Sequence, residues 1–123
     1  MLGDMKPTIP GWQLAIRFLL EVSSLVAIGF WAHRWGLAPA IGAPVAVAVL
    51  WGTFAVAGDP SRSGNAPVAV PGAVRLVLEL AVFGGGAASL FALHQWIALG
   101  VFGAAVIVHH AGTVPRLRWL LGR

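Results

Sequence analysis

Two charged pairs inside apolar stretches are the residues of this chain best suited to chemistry. Arg17 and Glu21 form one pair and Arg75 and Glu79 the other, both with the spacing Arg-x-x-x-Glu. Residues four apart lie on one face of a helix, so each arginine can reach the glutamate one turn later. A carboxylate in apolar surroundings needs such a partner. It can bind a proton or a cation, or act as a general acid or base.

The role of these pairs stays open between two interpretations. In the first, the charges form a buried network that fixes the register and pairing of helices. In the second, one glutamate is a functional group whose ionisation is set by burial. Trp51 joins the candidates because it lies one turn before Phe54, at the depth expected for Arg17 and Arg75. It either packs in the core or forms a platform for a substrate.

The histidines do not predict a metal or haem site. His33 and His94 are expected at one side of the membrane, and His109 and His110 near the other. Adjacent residues on a helix point about 100° apart, so His109 and His110 cannot easily bind one ion. The chain has no cysteine that could add a thiolate ligand. We therefore expect no metal and no cofactor.

The composition indicates that membrane helices position these residues. Apolar residues make up 59% of the 123-residue chain and charged residues 10%, against about 25% charged in soluble domains. A chain this short cannot bury so much apolar surface, which excludes a soluble monomer and makes the lipid bilayer its partner. Its net charge of +4 is spread over single Lys and Arg residues. Without a basic patch, nucleic acid is not an expected partner.

Four uninterrupted apolar segments predict an all-α fold, a single integral membrane domain over residues 1–123. Each segment is long enough to cross a hydrocarbon core of about 30 Å at about 1.5 Å per residue. Short turns join the first to the second and the third to the fourth, so the prediction is a four-helix transmembrane bundle of two hairpins. The predicted helices are approximately 12–33, 41–57, 72–93 and 96–114, with a polar loop at 58–70.

The distribution of Lys and Arg predicts the orientation. Seven of these residues fall on the side of the termini and the long loop, and Arg34 alone falls on the other. Because cytoplasmic segments carry the excess of positive charge, both termini are expected in the cytoplasm. The chain is then a multi-pass protein of the bacterial inner membrane.

An internal repeat supports the two hairpins. A shift of 58 residues, without a gap, places Arg17 on Arg75 and Glu21 on Glu79. Both hairpins start on the same side, so they are parallel repeats related by a pseudo-two-fold axis along the membrane normal. This symmetry predicts ion pairs across helices 1 and 3, Arg17 with Glu79 and Arg75 with Glu21. Small residues allow close packing, and four glycines are expected at helix–helix contacts: Gly84, Gly86, Gly100 and Gly103.

Three stretches resemble the YrdB-like family, also called DUF2568, a domain of unknown function. Residues 14–31, which include RFLLE, resemble its first helix, and WGTF at 51–54 resembles its W-G-x-F. The most specific stretch is PGAVRLVLELAVFG at 71–84, similar to P-G-x-x-R-L-x-L-E-L-x-x-F-G. The family usually has a proline soon after W-G-x-F, whereas here Ala57-Gly58-Asp59 intervenes before Pro60. The resemblance implies a small four-helix bacterial membrane protein and no particular activity.

Three classes of function fit these features. The first is a transport or permeation unit that uses the membrane-embedded Arg–Glu pairs and works as an oligomer. The second is a non-catalytic membrane partner subunit or scaffold. The third is an enzyme acting on a lipophilic small molecule of the prenyl or polyketide type, with Glu21 or Glu79 as acid or base. A polar groove at an oligomer interface favours transport, a fully packed bundle favours a partner role, and a cavity lined by both glutamates favours an enzyme.

Overall fold

The computed structural model describes residues 8–60 and 67–122, and this part of the chain is mostly helical. A 3₁₀ turn, His33–Trp35, joins the first two helices. The elements follow in the order α1 (Gly11–Ala32), α2 (Leu37–Thr53), β1 (Phe54–Ala55), β2 (Val68–Ala69), α3 (Gly72–Ala92), α4 (Trp96–Gly112) and α5 (Val114–Leu121).

The second helix begins four residues earlier than the sequence predicts. The chain turns at Gly36, whose φ of 114° lies in the region that favours glycine, and α2 starts at Leu37. Pro39 does not stop the helix because the first-turn N–H groups need no intrahelical acceptor. Further along, Pro44 removes an N–H donor inside α2, and α1 approaches this point closely. A Cβ on Gly29 would lie 3.0 Å from the Ala40 carbonyl oxygen.

The second helix also ends earlier than predicted. The sequence predicts residues 54–57 in the helix, but Phe54 and Ala55 form β1 and pair in parallel with β2, Val68–Ala69. The Val70 N–H continues the ladder by donating to the Ala55 carbonyl at 2.8 Å. The predicted loop 58–70 therefore contains a strand near its end, and residues 61–66 of that loop lie outside the described part.

The fourth segment continues into a further helix that the sequence does not predict. Thr113 follows α4, and α5 then leaves at an angle of 69° to it. Pro115 lies in the first turn of α5, where its missing N–H costs no helical hydrogen bond. The bend turns α5 back toward the start of α3, so that Gly72 lies directly against the Leu120 backbone carbonyl.

The first and third helices are the centre of the packing. Helix α1 packs against α2, α3 and α4, and α3 packs against α4 and α5. Two groups of buried apolar side chains fill the interior. The larger group joins α1, α3 and α4, and the smaller one lies beneath α5. The larger group consists of Leu20, Val82, Phe83 and Phe102, and the smaller group consists of Val56, Trp119 and Leu120.

Four glycines are predicted at helix–helix contacts, and within the described chain only one of them lies at such a contact. A Cβ on Gly86 would come within 2.9 Å of Ser24 on α1, so this glycine allows α1 and α3 to touch. A Cβ on Gly84, Gly100 or Gly103 would have no atom of a neighbouring helix within 4 Å, and there the prediction is wrong for the single chain. These three positions face away from the neighbouring helices.

The outward faces are apolar, as a lipid-facing surface is. Ile97 on α4 is 86% exposed, and many other large apolar side chains on α1 to α4 are exposed. By length and composition, α1 with its 3₁₀ turn and α3 can each cross a membrane, and the bent pair α4 and α5 gives a third candidate. Helix α2, at 17 residues, is apolar but shorter. The chain therefore has the character of a membrane protein.

Candidate functional site

Charged and polar side chains gather at one end of the helices, in what we call the charged cluster. The elements that contribute are the first half of α1, the end of α2 and the turn after it, the start of α3, the end of α4, and α5. Most of these side chains are almost completely buried. The charged cluster consists of Gln13, Arg17, Glu21, Trp51, Asp59, Arg75, Glu79, His109, His110 and Arg116.

Glu79 lies at the centre of the charged cluster with none of its side chain exposed. Its Oε1 forms an ion pair with the Arg17 guanidinium and accepts a hydrogen bond of 3.0 Å from Arg116 Nη1. Its Oε2 lies 3.0 Å from His110 Nε2. An ionised carboxylate has about four lone-pair sites, so these contacts use most of its capacity. Helices α1, α4 and α5 are thus all held to one carboxylate on α3.

Arg116 connects Glu79 to a second buried carboxylate. Its Nε and Nη2 donate to the two oxygens of Asp59 at 2.9 and 2.7 Å, the bidentate arrangement that a guanidinium and a carboxylate form best. Asp59 is placed by a turn in which its N–H donates to the Val56 carbonyl and Gly58 has a φ of 77°. The bend before α5 brings Arg116 over this turn. The guanidinium therefore joins α5, the turn after β1, and α3.

Arg17 lies on α1 and makes polar contacts with three side chains. Besides its ion pair with Glu79, its Nε lies 3.2 Å from Oε1 of Glu21 one turn later, and its Nη1 lies 3.3 Å from Nε2 of His109. Arginine donates only, so Nε2 of His109 accepts and its Nδ1 carries the hydrogen, which is donated to Gln13 Oε1 at 3.0 Å. These contacts require a neutral His109 with its proton on Nδ1.

Arg75 has a different set of partners, at the end of α2. Its Nη1 donates to the carbonyl oxygens of Trp51 and Phe54 at 2.6 and 2.7 Å. The last carbonyls of a helix have no intrahelical donor and attract a cation, so Arg75 caps the C-terminal end of α2. Its guanidinium carbon also lies 3.8 Å from the centre of the Trp51 ring, and that of Arg17 lies 5.2 Å from the same ring.

The five residues singled out from the sequence therefore lie in one place. The predicted ion pair between Arg17 and Glu79 is confirmed. The predicted pair between Arg75 and Glu21 does not form among the described contacts, and Nη1 of Arg75 donates instead to two carbonyls at the end of α2. Trp51 contacts Arg75 and Arg17, and its side chain hydrogen-bonds Glu21. What these residues do remains a prediction.

Sequence reasoning misses about half of the charged cluster. It places Asp59 only in a polar loop and Arg116 only among the cytoplasmic charges. A usable signal is the rarity of acidic residues, since Asp59 is one of only four in the chain. It considers His109 and His110 only as metal ligands. Among residues 8–60 and 67–122, no group of three His, Asp or Glu side chains could hold a metal ion.

The two largest grooves lined by described residues are apolar and lie between the helices. The larger, about 810 Å³, lies mainly between α1 and α4, and the smaller, about 460 Å³, between α2 and α3 with α1 at its side. Ser23 and Gln95 are among the few polar side chains along the larger groove. Neither groove is lined by a member of the charged cluster.

Comparisons with known proteins agree with these observations. Residues 15–115 match the family described as "Protein of unknown function (DUF2568)". The chain is 35% identical over 118 residues to a Bacillus subtilis (strain 168) protein described as "Uncharacterized protein YrdB". The match covers 90% of this chain and 94% of that relative. No solved structure gives a significant match. The chain therefore belongs to the DUF2568 family of YrdB-like proteins.

Proposed function

We propose that the protein is a four-helix, multi-pass protein of the bacterial inner membrane, in which α1 to α4 all cross the bilayer and α5 lies at the cytoplasmic surface. Two helices and one bent pair are long and apolar enough to cross. Helix α2 is included because it has 17 residues, the same length as α4. At about 1.5 Å per residue, 17 residues come close to the thickness of the hydrocarbon core.

Contacts inside the charged cluster support the origin from two duplicated hairpins. The shift of 58 residues carries Arg17 onto Arg75 and, in the partner helices, Trp51 onto His109. Arg17 contacts His109 from the other hairpin at 3.3 Å, and Arg75 contacts Trp51 from the other hairpin at 3.8 Å. These contacts are equivalent under the repeat, as a pseudo-two-fold axis between α1 and α3 requires.

The function that the geometry supports best is that of a non-catalytic partner subunit or scaffold in the membrane. The observation that carries this proposal is the complete burial of Glu79 among Arg17, Arg116 and His110. A substrate or a hydrated ion must be able to touch the group that handles it, whereas a structural ion-pair network works best when closed. The charged cluster then holds a rigid bundle whose exposed apolar faces bind copies of the chain or another membrane protein.

The partner role is tested by the mass of the assembly in its own lipids. Membranes containing the protein are extracted directly into polymer-bounded lipid discs, without detergent, and the protein mass is measured by native mass spectrometry. The expected result is a defined species heavier than the single 12.8 kDa chain. A single chain accompanied only by lipid would contradict the partner role. An unrelated membrane protein of similar size, expressed at the same level, controls for random association.

Proton-coupled transport is a second candidate, favoured by two titratable side chains of the charged cluster that are partly exposed. Glu21 has a side chain that is 24% exposed, and it is linked through Arg17 to Glu79 and on to His110, which is 16% exposed. In liposomes with an internal pH-sensitive dye and an imposed potential, transport predicts faster acidification with the natural protein than with Glu79→Gln. Equal rates in both and in empty liposomes would contradict it. An enzymatic role has less support, because none of the three grooves lined by described residues includes Glu21 or Glu79.

A further inference from the structure

The hydrogen bonds of His110 define where its protons are. Its Nδ1 lies 2.9 Å from the Val106 carbonyl oxygen, one turn earlier in α4. A carbonyl oxygen only accepts, so Nδ1 carries a hydrogen. Its Nε2 lies 3.0 Å from Oε2 of Glu79. One more proton is needed to make this second contact a hydrogen bond, and it belongs either to the imidazole or to the carboxyl group.

The other partners of Glu79 decide between these two positions. The carboxylate also faces the guanidinium groups of Arg17 from α1 and Arg116 from α5. Both are permanent cations that only donate, so they stabilise the ionised form of Glu79. An ionised carboxylate has no hydrogen to give. The proton between the two groups therefore lies on His110, which becomes an imidazolium with a hydrogen on each ring nitrogen.

The charges around this pair show what the proton changes. The remaining charged members of the cluster are three arginines and three carboxylates, and their charges cancel: Arg17, Arg75, Arg116, Glu21, Asp59 and Glu79. The neighbouring His109 accepts from Arg17 and is neutral. Protonated His110 thus gives the buried cluster a net charge of about +1, and deprotonated His110 leaves it neutral.

Loss of the proton also removes an attraction. Neutral His110 keeps its hydrogen on Nδ1 for Val106, and its Nε2 lone pair then faces Oε2 of Glu79 across 3.0 Å. Two acceptors at this distance repel each other, so the contact between α3 and α4 weakens. His110 is partly exposed at 16% of its side chain, while Glu79 is completely buried. Of the two groups, only the imidazole has a part that is exposed.

From this geometry we infer that His110 and Glu79 form a buried proton-binding site, which holds one exchangeable proton on His110 Nε2 and couples it to the contact between α3 and α4. The site goes beyond the proposed partner role and stands independently of it, because binding of the proton requires neither a second protein nor transport across the membrane.

Nuclear magnetic resonance of nitrogen-15-labelled histidine in lipid nanodiscs tests this site. Near neutral pH, both ring nitrogens of His110 are expected at the shifts of protonated nitrogen, with the signals assigned by their loss in His110→Gln. In Glu79→Gln the carboxylate is replaced by a neutral amide, and the imidazolium signal should be lost at the same pH. His94→Gln, in the turn at the opposite end of the helices, is the matched control and should leave the His110 signals unchanged.

The natural protein alone also provides a decisive measurement, which matters if a variant does not fold. Infrared spectroscopy over the same pH range should show no protonated carboxyl band near neutral pH, because Glu79 is ionised while His110 holds the proton. A His110 ring with a single protonated nitrogen near neutral pH would overturn the inference. So would a protonated carboxyl band of the natural protein that appears and disappears together with the protonation of His110, since the proton would then be shared with a carboxyl group.

Discussion

The Arg116 guanidinium joins three separate parts of the chain, since it lies on α5 and bonds both Asp59 and Glu79. Replacement by methionine, which has a similar length and no charge, leaves two buried carboxylates without this partner. Removing one member of a buried ion pair costs about 3–5 kcal/mol. We therefore expect Arg116→Met to lower the Tm markedly, measured by tryptophan fluorescence in a mild detergent.

The matched control for this change is Arg118→Met. Arg118 lies two residues later on α5 and is exposed, so the same substitution there removes a charge without opening a buried network. Its Tm should stay close to that of the natural protein. Equal losses of Tm in the two variants would show that Arg116 is not held as the structure describes.

Two arginines illustrate what sequence can predict about single residues. The contact between Arg17 and Glu79 is predictable because acidic residues are rare in the chain and the Arg-x-x-x-Glu spacing repeats. The partners of Arg75 are not predictable in the same way, because they are backbone carbonyls of Trp51 and Phe54. Every helix ends in such carbonyls, so the sequence carries no signal that one particular end needs a cation.

At the scale of elements, the contact between α1 and α3 depends on Gly86. A Cβ at this position would come within 2.9 Å of Ser24, including its backbone, so Gly86→Ala must push the helices apart. Such overpacking typically costs about 1–3 kcal/mol. Gly84→Ala, two residues earlier, meets no atom within 4 Å and should be neutral or stabilising, since alanine favours the helix by about 0.5–1 kcal/mol. Thermal unfolding of both variants measures the difference, and equal effects would contradict the close contact.

The start of α3 gives a second test at this scale, because it determines where α5 lies. A side chain on Gly72 would collide with the Leu120 carbonyl, whereas Gly11, the first residue of α1, has no atom within 4 Å of its Cβ position. Gly72→Ala should therefore displace α5 and expose the bond after Arg118 to trypsin. Cleavage there should be several-fold faster than in Gly11→Ala. Unchanged cleavage in Gly72→Ala would show that α5 is not docked on α3.

The sequence predicts the helical elements better than their ends. Long apolar segments identify helices because apolar surface and backbone hydrogen bonds must be satisfied together. The displacement of α2 to Leu37–Thr53 and the presence of α5 are harder to predict. Both depend on tertiary contacts: α2 ends where β1 pairs with β2, and α5 is fixed by Arg116 and by packing of Trp119 and Leu120.

At the scale of the whole molecule, charge is concentrated at one end. Three of the four acidic residues of the chain, Glu21, Asp59 and Glu79, lie in the charged cluster with three arginines. The opposite end, formed by the turns after α1 and α3, carries Arg34, whose guanidinium lies over the rings of Trp31 and Trp35 at 5.2 and 5.4 Å. The two ends therefore differ in the number of charged residues that they hold.

This asymmetry leads to a prediction of orientation. The start of α1 and the whole of α5 lie at the end with the charged cluster, and the sequence assigns seven of the eight Lys and Arg residues to the side of the termini and the long loop. Because excess positive charge remains in the cytoplasm, this end should be cytoplasmic. Green fluorescent protein fused to the C-terminus should fluoresce, and alkaline phosphatase inserted in the turn at His94 and Gln95 should be active. The exchanged fusions, phosphatase at the C-terminus and fluorescent protein in the turn, are the controls and should both be silent. Activity of the exchanged pair alone would reverse the orientation and place the charged cluster at the outer surface.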